Sequence, residues 1–137
     1  MHSHGIPADL TRNQTLVLNA LSHSRAPLSA YDILDRLRGD GLRAPLQIYR
    51  ALDKLVERGL AHRLESLSAF VACADAQCHR TGRGLTAFAI CDDCGQVDEF
   101  SDAVIEARLG EWASGAGFKA ERTTMEIRGK CGACAAA

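Results

Sequence analysis

The chain has 137 residues, 47% of them apolar and 24% charged, with a formal net charge of −1. This composition suits one folded domain of ordinary size or two small ones, and no apolar run approaches the ~20 residues that span a bilayer. The opening MHSHGIPADL has neither a basic start nor an apolar core, so it does not read as a secretory signal, and a cytoplasmic protein is expected.

TRNQTLVLNALSHS (11–24) predicts a helix with Thr11 as N-cap and Val17, Leu18 and Leu21 on its apolar stripe. APLSAYDILDRLRGDG (26–41) predicts a second helix, in which Ser29 and Asp32 form a capping box, Ile33, Leu34 and Leu37 face inward, and Gly39 ends it. PLQIYRALDKLVERGL (45–60) predicts a third, opened by Pro45 and closed by Gly59, with Ile48, Leu52, Leu55 and Val56 repeating at helical spacing. Two strand-like runs follow, 60–65 and 69–73, joined by a turn at 66–68. Helices followed by a hairpin is the order of a winged helix-turn-helix, whose last helix enters the DNA major groove. The stretch 73–84 has no periodicity and reads as a loop. A strand (86–91), a cysteine knuckle and a second strand (96–100) come next. A helix from about 102 to 114 then carries Val104, Ile105, Leu109 and Trp112 inward, and a strand over 118–128 runs into KCGAC.

Charge is uneven along this layout. Residues 1–72 hold nine Lys/Arg and seven Asp/Glu, a balance of +2, whereas residues 73–137 hold seven and ten, a balance of −3. A mildly basic half is compatible with a DNA-facing domain.

Six cysteines in a reducing compartment point to metal binding or catalysis rather than structural disulfides. A thiol oxidoreductase carries one Cys-x-x-Cys pair; here there are two, Cys91/Cys94 and Cys131/Cys134. Four thiolates complete a tetrahedral zinc with no open position, which is a structural site. Cys73 and Cys78 remain, with His62, His79 and Glu99 nearby in sequence. Singly, His62 and Cys73 read as core residues. Together, with a hairpin bringing His62 towards Cys73, they suggest a second, mixed-ligand zinc site. No arrangement argues for hydrolysis or group transfer, so an enzyme is not expected.

The sequence resembles the ferric uptake regulator family, and within it the zinc uptake regulator branch. The likeness rests on PLQIYRALDKLVERGLAHRLES, AICDDCGQVDEF and the later CGAC, and it covers nearly the whole chain. It implies an α+β protein: a winged helix-turn-helix domain (1–74), a hinge loop (75–84) and a small α/β dimerisation domain with a structural zinc site (85–137). It implies a homodimeric, zinc-responsive repressor of zinc-uptake genes that binds a double-stranded operator built as an inverted repeat, with two zincs per chain, one structural and one regulatory. The histidine-rich run that iron- and peroxide-sensing relatives carry before the first Cys-x-x-Cys is missing here. The regulatory ligands match His62, Cys73 and Glu99, with His79 as the fourth and Cys78 as its alternative. Tyr49 and Arg50 match the base-reading residues, which suits an Arg fork on guanine and a Tyr against a thymine methyl. Gln47 is a further contact from the same helix, and Arg43, Lys54, Arg58 and Arg63 are candidate phosphate contacts. The alternatives are a family member tuned to iron or manganese, and a thiol-based redox protein.

Overall fold

The computed structural model describes residues 7–73 and 85–136. The chain divides into two compact units, Met1–Arg80 and Thr81–Ala137.

The first unit begins with α1, Arg12–Ser22. Thr11 Oγ1 accepts from the Gln14 backbone N–H at 3.2 Å, and Gln14 Oε1 accepts from the Thr11 backbone N–H at 3.1 Å, which satisfies two donors that a helix start leaves open. Ser29 and Asp32 do the same for α2, Ala30–Leu37. This helix does not end on Gly39. It tightens into a 3-10 turn at Arg38–Asp40, and Gly41 supplies the left-handed backbone, at φ +93°, that turns the chain away. Pro45 opens α3, Pro45–Glu57, and Gly59 follows its end. The hairpin β1 (Ala61–Leu64) and β2 (Ala69–Ala72) is antiparallel with Leu64 opposite Ala69, so its turn spans 65–68. Leu28 exchanges two backbone hydrogen bonds with Phe70, at 3.0 and 2.8 Å, and so stitches the segment before α2 to the hairpin. The core is the stripe read from each helix, Val17, Leu18, Leu21, Ile33, Leu34, Leu37, Ile48, Leu52 and Leu55, closed by Leu42, Leu60 and Phe70. Burying such side chains gives each roughly 1.5–3 kcal/mol.

The second unit is a three-stranded sheet in the order β4-β3-β5, with β3 Leu85–Cys91, β4 Val97–Phe100 and β5 Thr123–Gly129. β3 and β4 form a hairpin, whereas β3 and β5 run parallel. A parallel neighbour requires a crossover, and α4, Ala103–Gly115, provides it. Asp102 caps α4, its Oδ1 accepting from the N–H of Val104 at 2.9 Å and of Ile105 at 3.1 Å. A short helix, α5 (Gly132–Ala136), follows β5.

Two expectations fail in this unit. The apolar residues of α4 are not interior: Val104 is 72% exposed, Trp112 66% and Leu109 39%, with Ile105 half-buried and Ala113 buried instead. A helical stripe reports that a face wants an apolar neighbour, not that the same unit provides it. The last strand also starts at Thr123 rather than 118, because Gly117 turns the chain at φ +67° and the Phe118 N–H donates to Ala113 O at 2.8 Å, capping α4. Among the described residues, no helix is long and apolar enough to cross a membrane.

Candidate functional site

Parallel pairing explains the wide cysteine spacing. β3 and β5 finish side by side, with Cys91 in register with Gly129, so the knuckle after β3 and the KCGAC segment after β5 leave the same edge of the sheet. The residues from Gly95 to Lys130 supply β4, the crossover helix and β5, without which that edge would not form. In the knuckle the Gly95 N–H donates to Cys91 O at 3.0 Å, and the Cys94 N–H donates to Cys91 Sγ at 3.4 Å. Gly95 holds φ +80°, which only a residue without Cβ adopts without strain.

The ligating atoms of Cys91, Cys94, Cys131 and Cys134 all lie within 4.8 Å of one another. Cys94 Sγ and Cys131 Sγ are 3.8 Å apart. A zinc tetrahedron with Zn–S bonds of about 2.3 Å has sulfur–sulfur edges of about 3.8 Å, so the donor set fits a closed four-thiolate metal. The thiols are electrostatically unequal. Backbone N–H groups of Cys131, then of Cys94, lower Cys91 from 9.0 to about 6. At Cys94 the Gln96 N–H pulls downward, but the Cys91 sulfur, burial and the Cys131 sulfur outweigh it and the thiol is raised. Cys134 is pushed up to about 12, by the Cys131 sulfur first and the Cys91 sulfur next. Four thiolates this close repel each other unless a cation sits among them, and a dication holds coordinating thiols deprotonated.

Two ion pairs that sequence reasoning missed surround this cluster. Arg128 Nη2 and Nε reach Asp92 Oδ1 at 2.8 and 3.0 Å, and Lys130 Nζ reaches Asp93 Oδ2 at 3.3 Å. The available signal was the pattern itself: both residues inside the first Cys-x-x-Cys are acidic, and RGK precedes the second.

In the first unit, His62 on β1 stands opposite Val71 and is half-buried, with its Nε2 atom shielded from solvent. The Cys73 N–H donates to Leu60 O at 2.9 Å, which carries the hairpin pairing one step past β2. A ring nitrogen of His62 and Cys73 Sγ lie within 4.8 Å, the approach that the hairpin reading anticipated. Cys73 is disulfide-bonded in this structure, which departs from the expectation of no disulfides. A disulfide sulfur and a thiolate ligand are alternative states of one atom, so ligation by Cys73 requires the reduced form. Glu99 belongs to the second unit, half-buried on β4 opposite Phe88. His79 and Cys78 lie outside the described residues.

Helix α3 buries Ile48, Ala51, Leu52 and Leu55 and exposes Leu46, Gln47, Tyr49, Arg50 and Lys54. A cleft of about 530 Å³ between the start of α1 and this face is lined by Asn13, Gln14, Gln47, Arg50, Asp53 and Lys54, among others. Among the described residues, the side chains of Arg43 and Arg50 make no hydrogen bond or ion pair and stand exposed. The remaining basic candidates are engaged: Lys54 with Glu57 at 3.4 Å, Arg58 with Asp9 at 3.3 Å, and Arg63 with Glu65 at 3.4 Å while it covers the Phe70 ring. Gln47 turns its Oε1 back to accept from the N–H of Arg43 at 3.1 Å and of Ala44 at 3.2 Å.

Residues 8–128 match the model of the ferric uptake regulator family. A solved structure of holo XcZur is 37% identical, covering 93% of this chain and 87% of that one, with a TM-score of 0.82. A zinc uptake regulator solved in complex with zinc and DNA is 35% identical, covering 93% and 83%, with a TM-score of 0.84. The Helicobacter pylori ferric uptake regulator, at 23% identity, 91% and 81% coverage and a TM-score of 0.61, shares the fold. No curated protein matches.

Proposed function

This chain belongs to the ferric uptake regulator family, and we propose that it is a zinc-responsive, DNA-binding transcriptional repressor of zinc-uptake genes rather than an enzyme. The observation that carries the reading lies within the first unit: His62 and Cys73 sit on the hairpin that directly follows α3, the helix exposing Tyr49 and Arg50. Likeness to a zinc uptake regulator complexed with zinc and DNA supports the same conclusion. In this reading residues 1–74 form the DNA-binding domain, 75–84 the hinge and 85–137 the dimerisation domain. Cys91, Cys94, Cys131 and Cys134 hold a structural zinc. His62, reduced Cys73, Glu99 and His79, or Cys78 in its place, hold the regulatory one.

When bound at the regulatory site, zinc supplies short, directional bonds between residues that the hinge separates in sequence. His62 and Cys73 then anchor the hairpin, and through it α3, at a fixed setting. Arg50 and Tyr49 read base edges, while Arg43, Lys54, Arg58 and Arg63 contact phosphates. A homodimer presents two such helices to an inverted repeat, and only one setting matches half-sites spaced by the duplex. The uncovered face of α4 and the outer edge of β5 favour pairing between second units. By linkage, zinc and DNA tighten one another by the same factor. The protein works in the cytoplasm.

The test is selection of duplexes from a random pool by reduced protein, with and without zinc, followed by titration of the enriched duplex. Wild type should bind it only with zinc, and His62→Ala should lose that dependence. Zinc-dependent binding that survives His62→Ala removes the regulatory-site assignment. Sulfur ligation at Cys73 favours zinc over iron or manganese, so zinc should outperform both. A second reading, thiol-based redox response, is favoured by the disulfide at Cys73. It predicts DNA binding that follows oxidation state with no metal added.

A further inference from the structure

The four cysteines are embedded in a second set of links that join the same two segments. Asp92 and Asp93 are the residues between Cys91 and Cys94, and Arg128 and Lys130 come just before Cys131. Arg128 grips Asp92 Oδ1 through two nitrogens, at 2.8 and 3.0 Å, and Lys130 meets Asp93 at 3.3 Å. The Asp92 N–H donates to Gly129 O at 2.7 Å, which extends the β3–β5 ladder into the knuckle. Every side chain in these pairs is about half exposed, so each pair alone is weak in water. Their placement is what gives them weight. Four thiolates around a dication carry excess negative charge, and two carboxylates inside the first cysteine pair add to it. Arg128 and Lys130 offset those carboxylates, and they do so only while the knuckle lies against the end of β5, the arrangement in which the four sulfurs meet.

We propose that Asp92–Arg128 and Asp93–Lys130 are a charge-balanced clamp that positions the two cysteine pairs and sets how slowly their metal is released. The proposal rests on the four-cysteine zinc site described above. The four charged residues act through the thiolates and ligate nothing themselves.

The experiment uses the full-length reduced protein. It measures zinc release to a chromogenic chelator at neutral pH, in low and high salt, beside the absorption spectrum of the cobalt-substituted form. Arg128→Gln should release the four-cysteine zinc about threefold to tenfold faster than wild type at low salt. High salt should narrow that gap. Asp92→Asn removes a negative charge from beside the thiolates. A purely electrostatic influence would therefore slow release in this variant, whereas the clamp requires that it quicken. The exchanged pair Asp92→Arg with Arg128→Asp should recover a rate within about twofold of wild type, and Arg128→Lys should fall between. Release no faster than wild type in either Arg128→Gln or Asp92→Asn overturns the clamp, as does an exchanged pair that fails to recover. A wild-type chain lacking both a retained zinc and the tetrahedral cobalt–thiolate spectrum overturns the metal site itself, and the clamp with it.

Discussion

Replacing Trp112 with glutamate should take the dimer apart while leaving each protomer folded. Trp112 is 66% exposed on α4, and Phe118 is 61% exposed with its ring centroid 6.2 Å from that of Trp112. A tryptophan side chain presents about 250 Å². Two-thirds of that is about 165 Å², or about 4 kcal/mol at ~25 cal/mol per Å² if it is covered completely. A two-fold interface counts the residue twice, which sets a ceiling near 8 kcal/mol. Half coverage leaves about 4 kcal/mol, roughly three orders of magnitude in the dimer dissociation constant. Glutamate is a good helix former, and the position is solvent-facing in the isolated chain, so α4 should persist. Sedimentation velocity over a dilution series, with circular dichroism as the folding control, reads the outcome. A Trp112→Glu protein that dissociates at the same concentration as wild type would refute the assignment of this face to the interface.

In the metal-free, reduced protein the Cys91 and Cys134 thiols should titrate far apart. Ultraviolet thiolate absorbance should show one ionisation near pH 6, from Cys91, and one near 12, from Cys134. The lowered Cys91 stabilises the fold fully above its unfolded value of 9.0 and loses that contribution as pH falls through about 6. The raised Cys134 acts oppositely and costs stability as pH climbs from 9.0 towards 12, so the contribution of these two thiols to metal-free stability should be greatest near pH 9; Cys91 and Cys134 ionising together would contradict this. Arg50→Ala should weaken operator binding by ~1–3 kcal/mol and relax preference at one base pair, whereas Lys54→Ala should weaken all sequences alike, as fluorescence anisotropy on matched and mutated duplexes will show. Asp102→Ala removes both bonds capping α4 and should cost about 1 kcal/mol, seen as a lower Tm of the metal-loaded protein.

Which features could be read from sequence follows from how local their causes are. The starts of α1, α2 and α3 were legible because Thr11, Ser29 and Pro45 act within one turn of their own chain. The helical stripes of the first unit were legible because they pack on one another. The stripe of α4 carries the same pattern but has no cover among the described residues of its own unit, and no sequence period distinguishes the two cases. The pairing of Cys91 and Cys94 with Cys131 and Cys134 followed from residue type and spacing. Its geometric cause, the parallel register of β3 and β5, is a long-range property. Asp92–Arg128 and Asp93–Lys130 were hidden for the same reason: charged residues are common everywhere, and only the register brings these four into pairs. Gly41 rather than Gly39 turns the chain after α2 because the helix tightens before it ends.

In the DNA-reading role proposed for α3, the side chain of Gln47 limits what the helix can ask of a base pair. With both lone-pair directions of its oxygen given to the N–H groups of Arg43 and Ala44, the residue keeps only its amide hydrogens to offer. It can donate to the N7 or O6 of guanine, to the N7 of adenine or to the O4 of thymine, and it has no answer for the amino group of cytosine. The two-point glutamine–adenine pairing is likewise closed to it, since that needs the oxygen as acceptor. The bond that squares off the helix start thus turns an ambidextrous residue into a one-way reader. Operators should show at its position a preference defined by one excluded letter rather than one required letter.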